Sequence, residues 1–346
     1  MKKKTLYLFL IIIIILAVFI LFSYVNHRIR LDKEKDLRKP LGQLVEVNGK
    51  QMSVYTEGAG PKTLVFLSGG GTCSPILDFR SLYSLLSGEY QIVVVEKFGY
   101  GFSDVVDEER DIDTILAETR TALEKSGIKA PYVLCPHSMS GIEALYWAQQ
   151  YPEEVEAIIG LDMAVPEHYE VMQISIPAMR IGQYGAALGI TRFLPNIAES
   201  DAIRYGTLTD EEKDRYRAVF YSRTATVTMI NECRAIKENA KTVAQNGVPQ
   251  VPMLLFLSDG SGGTGFDTET WRRIPKEYLA GSVGGTYIEL DCPHYVHDHE
   301  YERISDEIRR FISESDFAFS LYLLPPHISC WLNFQTPPQI FPFHSI

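Results

Sequence analysis

The chain has 346 residues, of which 46% are apolar and 22% charged, with 25 Gly and 18 Pro. Those proportions exclude a collagen-like, coiled-coil or wholly disordered chain, and the length suits one large α/β domain with an insertion, or two domains. The net charge of −11 is uneven: residues 1–39 carry a net of +6, and the remainder stands at −17, an acidic body with no footprint for nucleic acid.

Five cysteines (Cys73, Cys135, Cys233, Cys292, Cys330) form neither a disulfide framework nor a CxxC zinc pattern. Their odd count leaves at least one thiol unpaired within a single chain.

Taken in order, the chain opens with Lys2, Lys3 and Lys4 and then an unbroken apolar run from Leu6 to Phe22. No charged residue occurs from Thr5 to Asn26. As a helix that stretch is about 33 Å long, enough to cross a bilayer core. The core is long, and its exit Phe22-Ser23-Tyr24-Val25-Asn26 has no small-residue cleavage pattern. An uncleaved signal anchor is therefore expected, spanning the membrane through residues 5–25. The Lys-rich head is expected to stay inside, with the globular part outside the cytoplasm. Residues 1–26 form the head and anchor, and 27–42 a juxtamembrane linker.

From residue 43 to 313, strand-like runs alternate with helical patterns, which predicts a mostly parallel sheet with crossover helices. Gln43–Val47 and Gln51–Thr56 flank Asn48-Gly49, a two-residue hairpin signal. Strands follow at Thr63–Leu67, Gln91–Val95, Tyr132–Cys135, Val155–Leu161, Met253–Leu257 and Thr286–Leu290. Helices are expected over Asp111–Ser126, Ser140–Gln150 and Glu300–Ser313. Residues 166–249 contain no strand pattern and read as a helical insertion over the sheet, with a helix start at Thr209-Asp210-Glu211-Glu212. The tail, 314–346, is nearly uncharged and rich in Pro and aromatics.

The chemistry concentrates at Cys135-Pro136-His137-Ser138-Met139-Ser140-Gly141, between a strand and a helix. A nucleophile on so sharp a turn needs small or specially shaped neighbours two residues either side. Ser138 then sits at a helix N-terminus, where free N–H groups favour a developing oxyanion. Ser140 is a rival, but Ile142 is too bulky for a turn centred on it.

This segment resembles the G-H-S-M-G-G elbow of the α/β-hydrolase superfamily, with Pro136 and Ser140 replacing two of its glycines. Gly69-Gly70-Gly71 resembles the family's oxyanion loop, and Glu96 to Ser103 its D-x-R-G-x-G-x-S turn. Cys292-Pro293-His294-Tyr295-Val296-His297 resembles the segment that carries its catalytic histidine. The resemblance covers residues 43–313 and implies the α/β-hydrolase fold with a helical cap at about 166–249.

It also implies Ser138 as nucleophile and His294 as general base, with an oxyanion hole from the N–H groups of Met139 and of Gly69 or Gly70. The acid is open between three aspartates. Asp259 follows the strand after which the family usually places it, and is preferred. Asp162 ends the preceding strand, which supplies the acid in some members. Asp267 lies beyond a Gly-rich stretch. No cofactor is implied. His294, His297, Asp298 and His299 form a dense cluster but no complete metal motif, so no metal is expected.

The substrate expected is a small-molecule ester or amide, with carboxylesterase or lipase-like chemistry preferred. A proline-iminopeptidase-like activity is the alternative, since cap carboxylates such as Glu167, Glu170 and Glu232 could hold a substrate amine. A non-catalytic binding protein on the same fold is the other.

Overall fold

The computed structural model describes residues 2–322. The expectations for the tail beyond 322, and Cys330 with it, lie outside the described residues. The chain divides into two compact units, Met1–Ser305 and Asp306–Ile346. The sheet, the insertion and the candidate site belong to the first.

Eight strands form one sheet in the order β1-β2-β4-β3-β5-β6-β7-β8. They are β1 (Gln43–Val47), β2 (Lys50–Glu57), β3 (Thr63–Leu67), β4 (Gln91–Glu96), β5 (Tyr132–Pro136), β6 (Val155–Leu161), β7 (Met253–Leu257) and β8 (Thr286–Glu289). Only β2 runs against its neighbours. Every residue of β3, β5 and β7 is buried, as continuous apolar runs require when both sheet faces are covered. The β1–β2 hairpin closes on Asn48 and Gly49, with φ of 53° and 76°. Two successive left-handed residues are what a tight hairpin turn needs.

Thirteen helices are described: α1 (Lys2–Lys33), α2 (Pro75–Asp78), α3 (Arg80–Leu86), α4 (Ile112–Lys125), α5 (Gly141–Gln150), α6 (His168–Val171), α7 (Ile176–Ala187), α8 (Asp201–Arg204), α9 (Asp210–Arg223), α10 (Val227–Gln245), α11 (Thr268–Leu279), α12 (Val296–His299) and α13 (Tyr301–Tyr322). Helix α4 lies as its pattern predicts: Asp111 accepts from the Thr114 N–H at 2.8 Å to cap it, and Gly127 stops it with φ of 75°. The sequence pattern predicts no counterpart of α2, α3, α11 or α12. Three of these are short, and α11 carries Pro275 in its interior, which masks a helical pattern.

The insertion is five helices, α6 to α10, between β6 and β7. Helix α9 starts at the expected capping box, in which Thr209 N–H donates to Glu212 Oε2 at 2.8 Å. Helix α10 is pinned to the sheet domain through buried charge. Its Glu232 accepts from Tyr100 O–H at 2.7 Å and from Lys97 Nζ, and Lys97 lies 3.6 Å from Glu143 on α5. Lys97 and Tyr100 belong to the turn after β4, so that turn joins cap to core.

Helix α1 differs from expectation at its far end. It runs without a break to Lys33 rather than yielding to a linker at 27. The cap holds the chain on either side of this continuation: Ser23 Oγ donates to Leu188 O at 2.7 Å, and Arg192 binds both carboxylate oxygens of Glu34 at 2.8 and 2.7 Å.

Candidate active site

The site is assembled at the carboxyl ends of β5, β6 and β8. Ser138 follows β5 after His137, on a turn that leaves its φ at 52°, a strained value for a side chain with a Cβ. The strain is held from three sides. His137 N–H donates to Leu67 O at 2.9 Å, Ala164 N–H donates to Ser138 O at 2.8 Å, and Ser140 Oγ donates to Leu67 O at 2.6 Å. Ser140 is thus a strut of the turn with its hydroxyl buried. A Cβ on Gly141 would lie 2.1 Å from Ala164 O, so the glycine retained at this position is the one that the close approach of β6 demands.

His294 lies between β8 and α12, and its Nε2 stands 2.8 Å from Ser138 Oγ. Its Nδ1 stands 2.6 Å from Asp162 Oδ2. Asp162 follows β6, next to β5 in the sheet, so its carboxylate rises beside the serine turn. The other oxygen of Asp162 accepts from Ser258 N–H at 2.7 Å and from Trp271 Nε1 at 2.9 Å. Asp162 is fully buried, and these donors balance its charge.

Asp259, the preferred acid, does not meet His294. Its carboxylate turns back to accept from Ser261 N–H at 2.7 Å, while its own N–H donates to Cys292 O. The physical reason is that β7 is followed at once by a tight Gly-rich turn. Ser258 offers its N–H to Asp162, and Asp259 closes the turn locally. Asp267 is also elsewhere: it caps α11, accepting from Thr270 N–H at 2.8 Å, and is exposed. Ser258 and Trp271 were missed, since a donor to a carboxylate has no sequence pattern of its own.

Gly69 and Gly70 pass directly over the serine turn. A Cβ on Gly69 would come within 2.8 Å of Ser138 Cβ, and one on Gly70 within 2.8 Å of Met139 Cε. A side chain at Gly69 would press on the serine turn itself, so glycine backbone passes there beside Ser138 and Met139.

His137 is buried against this arrangement. Its Nε2 contacts His294 O at 3.2 Å, with the N–H donating to the carbonyl. Burial, and then His294 and His297, hold its pKa well below the ordinary histidine range. It is a neutral support beneath the His294 backbone. His168 is similar: Val165 N–H donates to its Nδ1 at 3.1 Å, its ring lies 4.3 Å from Trp271, and burial pushes its pKa down to about 4.

A cavity of about 340 Å³ opens over Ser138 and His294. Gly70, Met139, Tyr169, Met172, Ile174, Cys233 and Ile236 contribute to its walls, with Trp271 and the Gly263–Gly265 stretch opposite. Burial pushes the Cys233 thiol up to about 12, so it is an inert apolar wall. Glu232 points away to Lys97 and Tyr100, and among the described residues no carboxylate lines the cavity.

Beside the site, the histidine cluster disperses. His297 Nε2 meets Asp78 Oδ2 at 3.1 Å, and His299 Nε2 meets Asp201 Oδ2 at 3.0 Å. Asp78, His297 and Asp298 bring one donor atom each within 4.8 Å of one another. His294 stands apart from them as the partner of Ser138.

The model of the alpha/beta hydrolase fold family matches residues 62–180. A relative from Bacillus subtilis (strain 168), Uncharacterized protein YbdG, is 40% identical over 238 residues, covering 67% of this chain and 73% of that protein. The chain belongs to the α/β-hydrolase family. The hydrolase is also similar in fold to solved structures. Cfl2 of Burkholderia cenocepacia matches with a TM-score of 0.60 and 21% identity, over 78% of this chain and 94% of that one. The enol-lactonase of Burkholderia xenovorans matches at 0.58 and 17%, over 78% and 100%. An epoxide hydrolase of Bacillus megaterium matches at 0.59 and 17%, again over 78% and 100%. These distant likenesses speak to the hydrolase's architecture, and its own residues must speak to its chemistry.

Proposed function

We propose that this hydrolase is a membrane-anchored serine esterase working through a Ser138–His294–Asp162 triad and an acyl-enzyme. The observation that carries the reading is the continuous chain of contacts from Ser138 Oγ to His294 at 2.8 Å and on to Asp162 at 2.6 Å. Ser138 attacks the ester carbonyl, and its proton passes to His294 Nε2. Asp162 accepts the Nδ1–H, which fixes the tautomer and stabilises the imidazolium that forms. The N–H groups of Met139 and of Gly69 or Gly70 receive the oxyanion. His294 then protonates the departing alcohol, and water enters by the same route to release the acid.

A cavity with mainly apolar walls and no carboxylate among the described residues favours an apolar ester over an amino-terminal peptide, whose ammonium group would need a counter-charge. Anchoring rests on α1, in which an 18-residue window within Lys3–Lys33 has a mean hydropathy of 3.3 and is almost entirely uncovered. Lys2 to Lys4 stay on the inner side, and the hydrolase domain, 43–313 with its cap, lies outside the cytoplasm.

The test is labelling of the full-length protein with a fluorophosphonate, which bonds to an activated serine. Ser138→Ala abolishes labelling and Ser140→Ala does not. Equal labelling of Ser138→Ala defeats the triad. Preference for aminoacyl-naphthylamides over p-nitrophenyl esters of medium chain length defeats the ester assignment.

A further inference from the structure

The cap presents an unusual face next to α1. Helix α7 buries only Ala186 among its residues. Ile181 is 73% exposed and Tyr184 64%, and the following turn exposes Phe193, Leu194 and Ile197. A helix of a water-soluble domain normally hides such a face. Residues 171–198 also contain no Asp or Glu and two Arg, inside a body whose net charge is −17. The longest stretch of the cap without acidic residues is the one that carries most of its uncovered apolar side chains.

Helix α1 supplies a depth scale for this face. The Phe193 ring lies 5.5 Å from the Phe19 ring and 6.2 Å from the Phe22 ring. Phe19 is within the unbroken apolar run, three residues and so about 5 Å from its end at Phe22. If the run occupies the hydrocarbon, a side chain in contact with Phe19 is at the same depth. The register is held above by Arg192, whose Nε donates to His27 Nδ1 at 2.9 Å while both terminal nitrogens bind Glu34. Arg192 is nearly fully buried, and its three nitrogens are all engaged. Gly189 packs so closely on the helix that a Cβ there would meet His27 Cβ at 2.3 Å.

We infer that the cap is seated in the outer leaflet of the bilayer, with α7 and the Phe193–Leu194 turn immersed at its surface, and that the ester reaches Ser138 from the lipid. The segment leading into α7 carries Met172, Gln173 and Ile174, which line the catalytic cavity. The mouth of the cavity therefore adjoins the immersed face. Substrates are esters with long acyl or alkyl chains that partition into membranes. This rests on the anchoring proposed above, since α1 sets the depth.

The experiment uses the full-length protein in phosphatidylcholine vesicles with brominated acyl chains, which quench tryptophan within the hydrocarbon. Phe193→Trp is compared with Val283→Trp, a residue 71% exposed in the turn before β8. Emission added at 193 is expected to fall about twofold or more, and that added at 283 to remain. In parallel, Ile181→Asp is expected to lower turnover of a long-chain vesicle-borne ester about tenfold and to leave a short water-soluble ester unchanged. A protein that resists carbonate extraction yet shows no quenching at 193, or loses both esters equally, overturns the seated cap while leaving the anchor standing. Extraction by carbonate overturns the anchor and the seated cap together.

Discussion

The carboxylate of Asp162 lies 2.6 Å from Nδ1 of His294, although 132 positions separate the two residues. Asp162 itself has φ of 52°, a second left-handed residue beside Ser138. Two strained positions on adjacent strand ends aim a carboxylate and a hydroxyl at one imidazole.

The first prediction follows from that relationship. Asp162→Asn cannot hold the tautomer, and kcat/KM should drop by about 10³-fold or more. Asp259→Asn should leave it near the original value, because that carboxylate serves only its own turn. Rates of p-nitrophenyl ester hydrolysis by the two variants decide the matter. A larger loss in Asp259→Asn would return the acid role to β7.

The serine turn depends on Gly141. A methyl group at that position meets Ala164 O at 2.1 Å, so the turn or β6 must move. Gly141→Ala should cost about 1–3 kcal/mol and displace Ser138 from His294. Thermal unfolding and fluorophosphonate labelling would both register it. Normal labelling with unchanged stability would mean that the approach relaxes freely.

The junction of cap and core gives a third prediction. Lys97 and Glu232 are both buried, and losing one partner of a buried pair costs about 3–5 kcal/mol. Glu232→Ala leaves Lys97 with Glu143 alone, at 3.6 Å. Glu232→Gln keeps an acceptor for Lys97 and Tyr100 and should recover part of the loss. Denaturant midpoints of the three proteins in detergent provide the comparison, and equal midpoints for the Ala and Gln variants would argue against a role for the hydrogen bonds.

Glu96 makes stability depend on pH. Burial pushes its pKa up from an ordinary 4.5 to about 7, against the opposing Phe102 N–H bond. Below 4.5 the carboxyl is neutral in the folded and the unfolded chain alike. Between there and about 7 the unfolded chain releases the proton while the folded one keeps it, so stability falls as pH rises. The contribution is up to about 3 kcal/mol. Glu96→Gln should flatten this slope and raise the melting temperature at pH near 8 more than at pH near 5. Parallel pH profiles for the two proteins would show that Glu96 is not responsible.

Much of this molecule is local, and the sequence determined that part. The strands Thr63–Leu67, Val155–Leu161 and Met253–Leu257 have the bounds their apolar runs predict, because a strand covered on both faces needs no partner to declare itself. Asn48-Gly49, Asp111 and Thr209 act on neighbours within a few residues, so the hairpin and the two helix starts were equally legible. Ser138 and His294 were legible as candidates because a strained turn and its order along the chain leave marks in the sequence. The choice among Asp162, Asp259 and Asp267 left none. It depends on β6 lying beside β5 and on the N–H groups of Ser258 and Trp271 converging on one buried carboxylate. Those relations join strands and helices far apart in the chain, and an aspartate within two residues of a glycine reads the same whether it closes its own turn or crosses the sheet. The docking of α1 on the cap was hidden for the same reason: Phe19, Arg192 and Glu34 become neighbours only when the insertion folds back over the sheet.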